Sequence, residues 1–219
     1  MIKAFIFDLD GTLVDTLGDI ASVMNGFLRA RSWPEHPLEA YRLMVGRGLA
    51  NLLGAAVPPE QASRVDELYP EAFAAYDAMG VGASMPYDGA AEALAELAAA
   101  GAGLAVVSNK PDGIAKRIVA ELFPAIPFAL VRGGLEGVPS KPDPASALEA
   151  ALACGVAPGE CAFVGDSDVD MKTATAAGML PVGAAWGFRG EVELRASGAA
   201  AIVASMSAVP SLMKSAQVY

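Results

Sequence analysis

The sequence predicts an α/β protein, a doubly wound, Rossmann-like parallel sheet with an inserted all-helical cap domain. Short apolar runs of strand length recur at residues 3–7, 103–107, 128–131, 162–165, 180–183 and 200–204. Helical patterns separate them, and such alternation folds as parallel strands joined by crossover helices. Between about residues 15 and 85 the alternation stops and only helical periodicity remains. The expected core is therefore residues 1–14 and 86–219, with residues 15–85 as the cap. Ligands of such a sheet gather at the carboxyl ends of its strands.

The first run, Ala4-Phe5-Ile6-Phe7, leads directly into Asp8-Leu9-Asp10-Gly11-Thr12. Side chains two apart on a strand share a side, so Asp8 and Asp10 can converge at its end. Buried together, they need a cation or a shared proton. Gly11 permits a sharp exit from the strand. An exposed acidic turn would account for this segment alone, but three further segments argue for a site.

In the insertion, Ile20, Val23, Met24, Phe27 and Leu28 follow the spacing of one helix face, and Val65, Leu68, Tyr69, Ala72, Phe73 and Tyr76 repeat it. Hinges are expected at Asp15-Thr16 and in the turn-rich Gly80-Val81-Gly82-Ala83-Ser84-Met85-Pro86.

The second run ends in Ser108-Asn109-Lys110-Pro111-Asp112. Proline suits the first turn of a helix, where its missing N–H would be unpaired anyway. A helix start here would turn Ser108 and nearby amides toward the mouth of the sheet, where helix N-termini hold phosphate. Taken alone, Ser108 is an ordinary helix N-cap. Downstream, Ile114, Ile118 and Leu122 recur at four-residue spacing.

The loop from Gly134 to Pro144 feeds another helix, and Pro142 biases Lys141 toward an extended backbone, presenting its ammonium at a defined place. A lone loop lysine is solvated; beside an acidic centre and a phosphate it becomes a charge clamp. The fourth run ends in Gly165-Asp166-Ser167-Asp168-Val169-Asp170. Acidic helix starts are common for helix-dipole reasons, and oxygen-rich clusters at strand ends also suit Mg²⁺.

These four segments, in this order, resemble the haloacid dehalogenase superfamily of phosphotransferases over nearly the whole chain, with the insertion placed as in its helical-cap subclass. The resemblance implies a Mg²⁺-dependent phosphatase that works through an aspartyl phosphate. It implies Asp8 as nucleophile and Asp10 as general acid/base, with Thr12 orienting Asp10. Ser108, Asn109 and Lys141 would hold the phosphoryl group. Asp8, the carbonyl of Asp10, and Asp166 would ligate Mg²⁺, with Asp170 behind them. Asp168 has no counterpart in the family pattern and reads as a solvated carboxylate at a helix start.

Within the superfamily, Asp10 argues against a dehalogenase, which lacks that aspartate. The cap contains no lysine for a Schiff base, only Arg29, Arg31, Arg42, Arg47, Arg64 and His36 as cations. Beta-phosphoglucomutases usually carry Val where this chain has Thr12, which disfavours a mutase-like phosphotransferase and leaves it as an alternative. The segments Phe7 to Asp15, Val45-Gly46-Arg47-Gly48, Val107 to Pro111 and Val164 to Ser167 are most similar to phosphoglycolate phosphatases. That implies a small phosphorylated metabolite as substrate, 2-phosphoglycolate first, with sugar phosphates, nucleotides and pyrophosphate as alternatives. Arg47, flanked by glycines, is the candidate for a substrate carboxylate; the alternative is a solvated arginine at a helix junction. A non-enzymatic phospho-acceptor such as a receiver domain needs no large cap and no acid/base two residues beyond its acceptor.

Composition agrees. A formal charge of −10 disfavours nucleic acid or an anionic membrane as partner. Residues 196–213 are too broken by Gly198, serines and Pro210 for a membrane helix. The short apolar start leaves no room for a signal peptide, so a cytoplasmic monomer or homodimer is expected. Cys154 and Cys161 are then reduced structural thiols, and His36 is the only histidine.

Overall fold

The computed structural model describes residues 1–214. The chain runs from β1 (Ala4–Phe7) through β2 (Val14–Asp15) into four helices, α1 (Leu17–Arg29), α2 (Leu38–Met44), α3 (Leu49–Ala56) and α4 (Val65–Ala78). It returns through β3 (Met85–Pro86) and α5 (Ala90–Ala99). There follow β4 (Gly103–Pro111), α6 (Asp112–Leu122), β5 (Leu130–Gly134), α7 (Ala145–Ala153) and β6 (Cys161–Gly165). The last elements are α8 (Asp168–Ala176), β7 (Leu180–Ala184), α9 (Gly190–Ala196), β8 (Ala201–Val203) and a 3₁₀ segment, Met206–Lys214.

Six strands form a parallel sheet in the order β5-β4-β1-β6-β7-β8. Their apolar runs are nearly continuous because both faces are covered. Phe5, Phe7, Leu104, Val106, Ala162 and Val164 face α5, α6 and the C-terminal 3₁₀ segment; this apolar body continues into the cap through Ile20, Met24 and Leu53. Ala4, Ile6, Ala105, Val107, Cys161 and Phe163 face α7 and α8. In register, Phe7 lies opposite Val106 on one side and Val164 on the other. The strand following β1 in the sheet sits to one side and β6 to the other, which makes the end of β1 the switch point where ligands bind. Asp8 therefore emerges between the ends of β4 and β6.

All six expected runs are strands of this sheet, with shifted ends. Residues 128–131 were expected where β5 spans Leu130–Gly134; Phe128 instead closes a tight turn onto Ile126 and packs edge-on against Phe123. β4 continues through Ser108, Asn109 and Lys110 to Pro111, which pairs with Gly134 after a register shift. Pro111 is thus extended (φ −49°, ψ 133°) and precedes α6 rather than lying in its first turn. The two-residue strands β2 and β3 pair antiparallel at the two ends of the insertion, too short to leave a sequence periodicity. Both cysteines are free thiols. Among the described residues, no helix is long and apolar enough to cross a membrane.

Candidate active site

Asp8 stands just past β1 and Asp166 just past β6, while Asp170 lies in the first turn of α8; all three are buried. Lys141 reaches the same point from the loop before α7. Its Nζ lies 2.8 Å from Asp8 Oδ1 and 2.7 Å from Asp170 Oδ1. The other oxygen of Asp170 accepts the amide (3.1 Å) and hydroxyl (2.6 Å) of Ser167, closing a capping box on α8. Asp166 Oδ2 accepts the amide of Phe188 at 2.6 Å. Glycine is required on both sides of Asp166. A Cβ on Gly187 would stand 2.2 Å from Asp166 Cβ, and one on Gly11 2.4 Å from its Oδ2.

Burial dominates the electrostatics. It pushes Asp8 up to about 7, against the pull of Lys141, and the charges of Asp170 and Asp10 push the same way. Asp166 is raised well above the usual carboxylate range by burial and by Asp170 and Asp8. Burial alone would lower Lys141, but Asp170 and Asp8 outweigh it and raise it. One cation thus serves three carboxylates whose oxygens lie within 4.8 Å of one another. Hard oxygen donors carrying uncompensated negative charge fit a small divalent cation.

Asp10 has a separate set of partners. Its Oδ1 accepts from Thr16 Oγ1 at 2.6 Å and from Lys110 Nζ at 2.8 Å. Lys110 also donates to the hydroxyl of Tyr76, on α4 of the cap. Thr12, expected to orient Asp10, does not: among the described residues its buried hydroxyl has no hydrogen-bond partner, while its carbonyl accepts the Trp186 indole N–H. The turn at Gly11, closed by the amides of Leu13 and Val14 on the Leu9 carbonyl, carries the chain round and returns Thr16 to Asp10.

Ser108 Oγ accepts the amide of Lys110 at 3.2 Å, leaving its hydroxyl proton for a phosphoryl oxygen. It sits in the irregular end of β4 and is not a helix cap. The Asn109 side chain, expected on phosphate, is fully committed to backbone. Its amide donates to the carbonyls of Gly46 and Lys141, both at 3.0 Å, and its oxygen accepts the amide of Lys141. It therefore joins the cap, β4 and the Lys141 loop.

Arg47 lies elsewhere. Gly46 and Gly48 both have positive φ, and the loop they form sends Arg47 to Asp168, 2.9 Å away, on the core. Asp168 is correspondingly not a solvated carboxylate, since Lys172 also pairs with it at 2.6 Å. A cavity of about 30 Å³ lies between cap and core. Its walls include Asp8, Asp10, Ser108, Lys110 and Tyr76, with Ile20, Val45, Leu49 and Leu52 from the cap, but not Arg47.

The family model of the haloacid dehalogenase-like hydrolases matches residues 2–178. The chain belongs to this family. This hydrolase is 35% identical over 187 residues to a phosphoglycolate phosphatase of Xylella fastidiosa strain Temecula1, covering 85% of this chain and 82% of that one. It is 36% identical over 200 residues to the phosphoglycolate phosphatase of Rhodospirillum rubrum, covering 87% and 83%. A crystal structure described as that of a predicted phosphoglycolate phosphatase from Haemophilus somnus 129PT superposes with a TM-score of 0.87 at 28% identity, over 97% of this chain and 98% of that one.

Three contributors to the hydrolase's site escape sequence reasoning. Thr16 lies six residues beyond Asp10, just before α1. Tyr76 belongs to the apolar stripe of α4 and reads as core. Phe188 acts through its backbone amide, which no residue type betrays.

Thr12→Val should leave kcat within about twofold and raise stability by about 1 kcal/mol, because it removes an unpaired buried hydroxyl. Thr16→Val should lower kcat by about tenfold or more, the scale of a lost hydrogen bond to a charged group. Steady-state kinetics and urea unfolding measure both. Metal-free protein should also lose thermal stability as pH rises from about 4 to about 7. In that window folded Asp8 keeps a proton that the unfolded chain, with its carboxyl at 3.8, releases. Adding Mg²⁺ near pH 6.5 should release protons and flatten this slope, measurable by melting curves and by pH-indicator titration.

Proposed function

We propose that this hydrolase removes phosphate from 2-phosphoglycolate through an aspartyl phosphate on Asp8, with residues 15–85 closing as the cap. The observation that carries the reading is the separation of the two aspartates. Asp8 is held by Lys141 beside Asp166 and Asp170, whereas Asp10 is held by Thr16 and Lys110. A nucleophile and an acid/base need such different surroundings.

In this reading Asp8 attacks phosphorus in line while Ser108 and Lys141 hold the nonbridging oxygens. Asp10 gives a proton to the departing glycolate oxygen. It then takes one from the water that attacks the phosphorus of the aspartyl phosphate, and phosphate and free Asp8 result. Mg²⁺, held by Asp8, the carbonyl of Asp10, and Asp166 with Asp170 behind them, would neutralise the charge that gathers around the phosphoryl group. The closed cap excludes bulk water and strengthens these contacts.

The substrate choice draws support from the two relatives named phosphoglycolate phosphatase and from the cavity. Its cap wall of Ile20, Val45, Leu49 and Leu52 gives a hexose few partners for its hydroxyls. This disfavours a beta-phosphoglucomutase-like activity.

Asp8→Asn should abolish turnover while leaving the melting curve cooperative. In an initial-rate panel with Mg²⁺, kcat/KM should be highest for 2-phosphoglycolate, above sugar phosphates, nucleoside monophosphates, pyrophosphate and beta-glucose 1-phosphate. Residual activity in a contamination-controlled Asp8→Asn preparation would contradict the mechanism. Another best substrate would contradict the assignment. Arg47→Ala should cost less than about 1 kcal/mol in kcat/KM, the usual scale of an exposed ion pair, and the same on phosphate esters with and without a carboxylate.

A further inference from the structure

A substrate carboxylate enclosed under the cap must meet a cation or aligned donors. The arginines of the cap cannot supply one. Arg29 pairs with Glu35, Arg31 with Glu71, Arg42 with Glu39, Arg47 with Asp168 and Arg64 with Glu67. His36 is engaged with the carbonyl of Ala56. The cation in the cavity wall is Lys110, from β4 of the core.

We infer that Lys110 and Tyr76 together form the subsite for the substrate's carboxylate, so that preference for a carboxylated phosphate ester rests on these two side chains. The inference deepens the phosphoglycolate phosphatase reading and rests on it. An ammonium carries three protons. Lys110 places one on Asp10 and one on the Tyr76 oxygen, which leaves the third for a ligand. Tyr76 accepts from Lys110, and among the described residues nothing accepts the Tyr76 hydroxyl proton. Burial holds that hydroxyl in its neutral, donating form, pushed up to about 12. Two donors in mutual contact therefore line a cavity whose cap wall also carries the apolar Ile20, Val45, Leu49 and Leu52.

Their position fits the proposed leaving group. Asp10 must reach the ester oxygen, and the carboxyl carbon of 2-phosphoglycolate lies only one methylene beyond it. The group that recognises that carboxylate has to stand next to Asp10, and Lys110 Nζ is 2.8 Å from Asp10 Oδ1. Tyr76 belongs to the cap and Lys110 to the core, so the subsite is complete only when the cap is closed. A carboxylated substrate would thereby favour the closed state through its differential contacts.

The test compares wild type, Tyr76→Phe and Lys110→Met on two esters of similar length, 2-phosphoglycolate and 2-hydroxyethyl phosphate. Wild type should prefer the carboxylate. Tyr76→Phe, which removes one oxygen and keeps the ring, should reduce the ratio of the two kcat/KM values by about tenfold or more, chiefly through KM for 2-phosphoglycolate. Lys110→Met should reduce the ratio further, on top of any general loss through Asp10. A wild-type preference that survives in Tyr76→Phe, with both esters losing equally, overturns the inference alone and leaves the pair as support for Asp10. A wild type without preference overturns the inference and the substrate reading together.

Discussion

The buried ammonium of Lys141 is the contact on which the site depends. Its nitrogen stands 2.8 Å from Asp8 and 2.7 Å from Asp170. Each contact is worth on the order of 6 kcal/mol of Coulomb attraction at an effective dielectric near 20. Withdrawing three charges from water costs several kcal/mol per ion, so the net contribution to stability is small. What the arrangement supplies is placement. Without Lys141, three buried carboxylates would face one another at the ends of β1 and β6 with no protein cation among them. With it, Asp8 and Asp170 are drawn to one point, and the capping box at Ser167 fixes the far oxygen of Asp170. The placement of Lys141 depends in turn on Asn109, which binds both its backbone N–H and its carbonyl.

Asn109 extends that dependence to the cap, because its amide also holds the carbonyl of Gly46. Arg189 donates to the neighbouring carbonyls of Leu43 and Val45 at 2.9 and 3.2 Å, and Arg47 reaches Asp168. The segment from Leu43 to Arg47 is thus gripped by β4, by α8 and by the residue preceding α9. The cap segment and the backbone of Lys141 are thus joined through one asparagine. The glycines around Arg47 serve this clasp: they turn the arginine toward the core surface and leave backbone carbonyls facing Asn109 and Arg189.

The sheet was legible in the sequence because a parallel sheet covered on both faces needs continuous apolar strands, and 103–107 and 162–165 have little else. The insertion was legible because helix periodicity persists through Tyr76. Asp8, Asp10, Lys141 and Asp166 were legible because four segments in one order resemble a known family, although each segment alone has an ordinary structural reading. Lost were details fixed by backbone path. The turn at Gly11 decides that Thr16, not Thr12, reaches Asp10. The register shift in β4 decides that Asn109 faces backbone partners and Lys110 faces the cavity. Arg47 misled for a related reason: flanking glycines mark a sharp local path, but the direction of that path is set by tertiary contacts.

The two lysines divide the site between its two aspartates. Lys141 comes from a core loop and holds Asp8, its own backbone held in turn by Asn109 of β4. Lys110 stands behind Asp10, and its second partner, Tyr76, arrives only with α4 of the cap. Asp8, the proposed nucleophile, is therefore contacted by a lysine of the core, while the surroundings of Asp10, the proposed acid/base, are completed by Tyr76 of the cap. That asymmetry matches the order of demands in phosphoryl transfer, where the nucleophile must be placed before substrate enters and leaving-group protonation is needed only once water has been excluded. It also explains why apolar side chains suffice for the rest of the cap wall. In the proposed reaction Ile20, Val45, Leu49 and Leu52 need only keep water out, with the polar contacts falling to Lys110, Tyr76 and the strand ends.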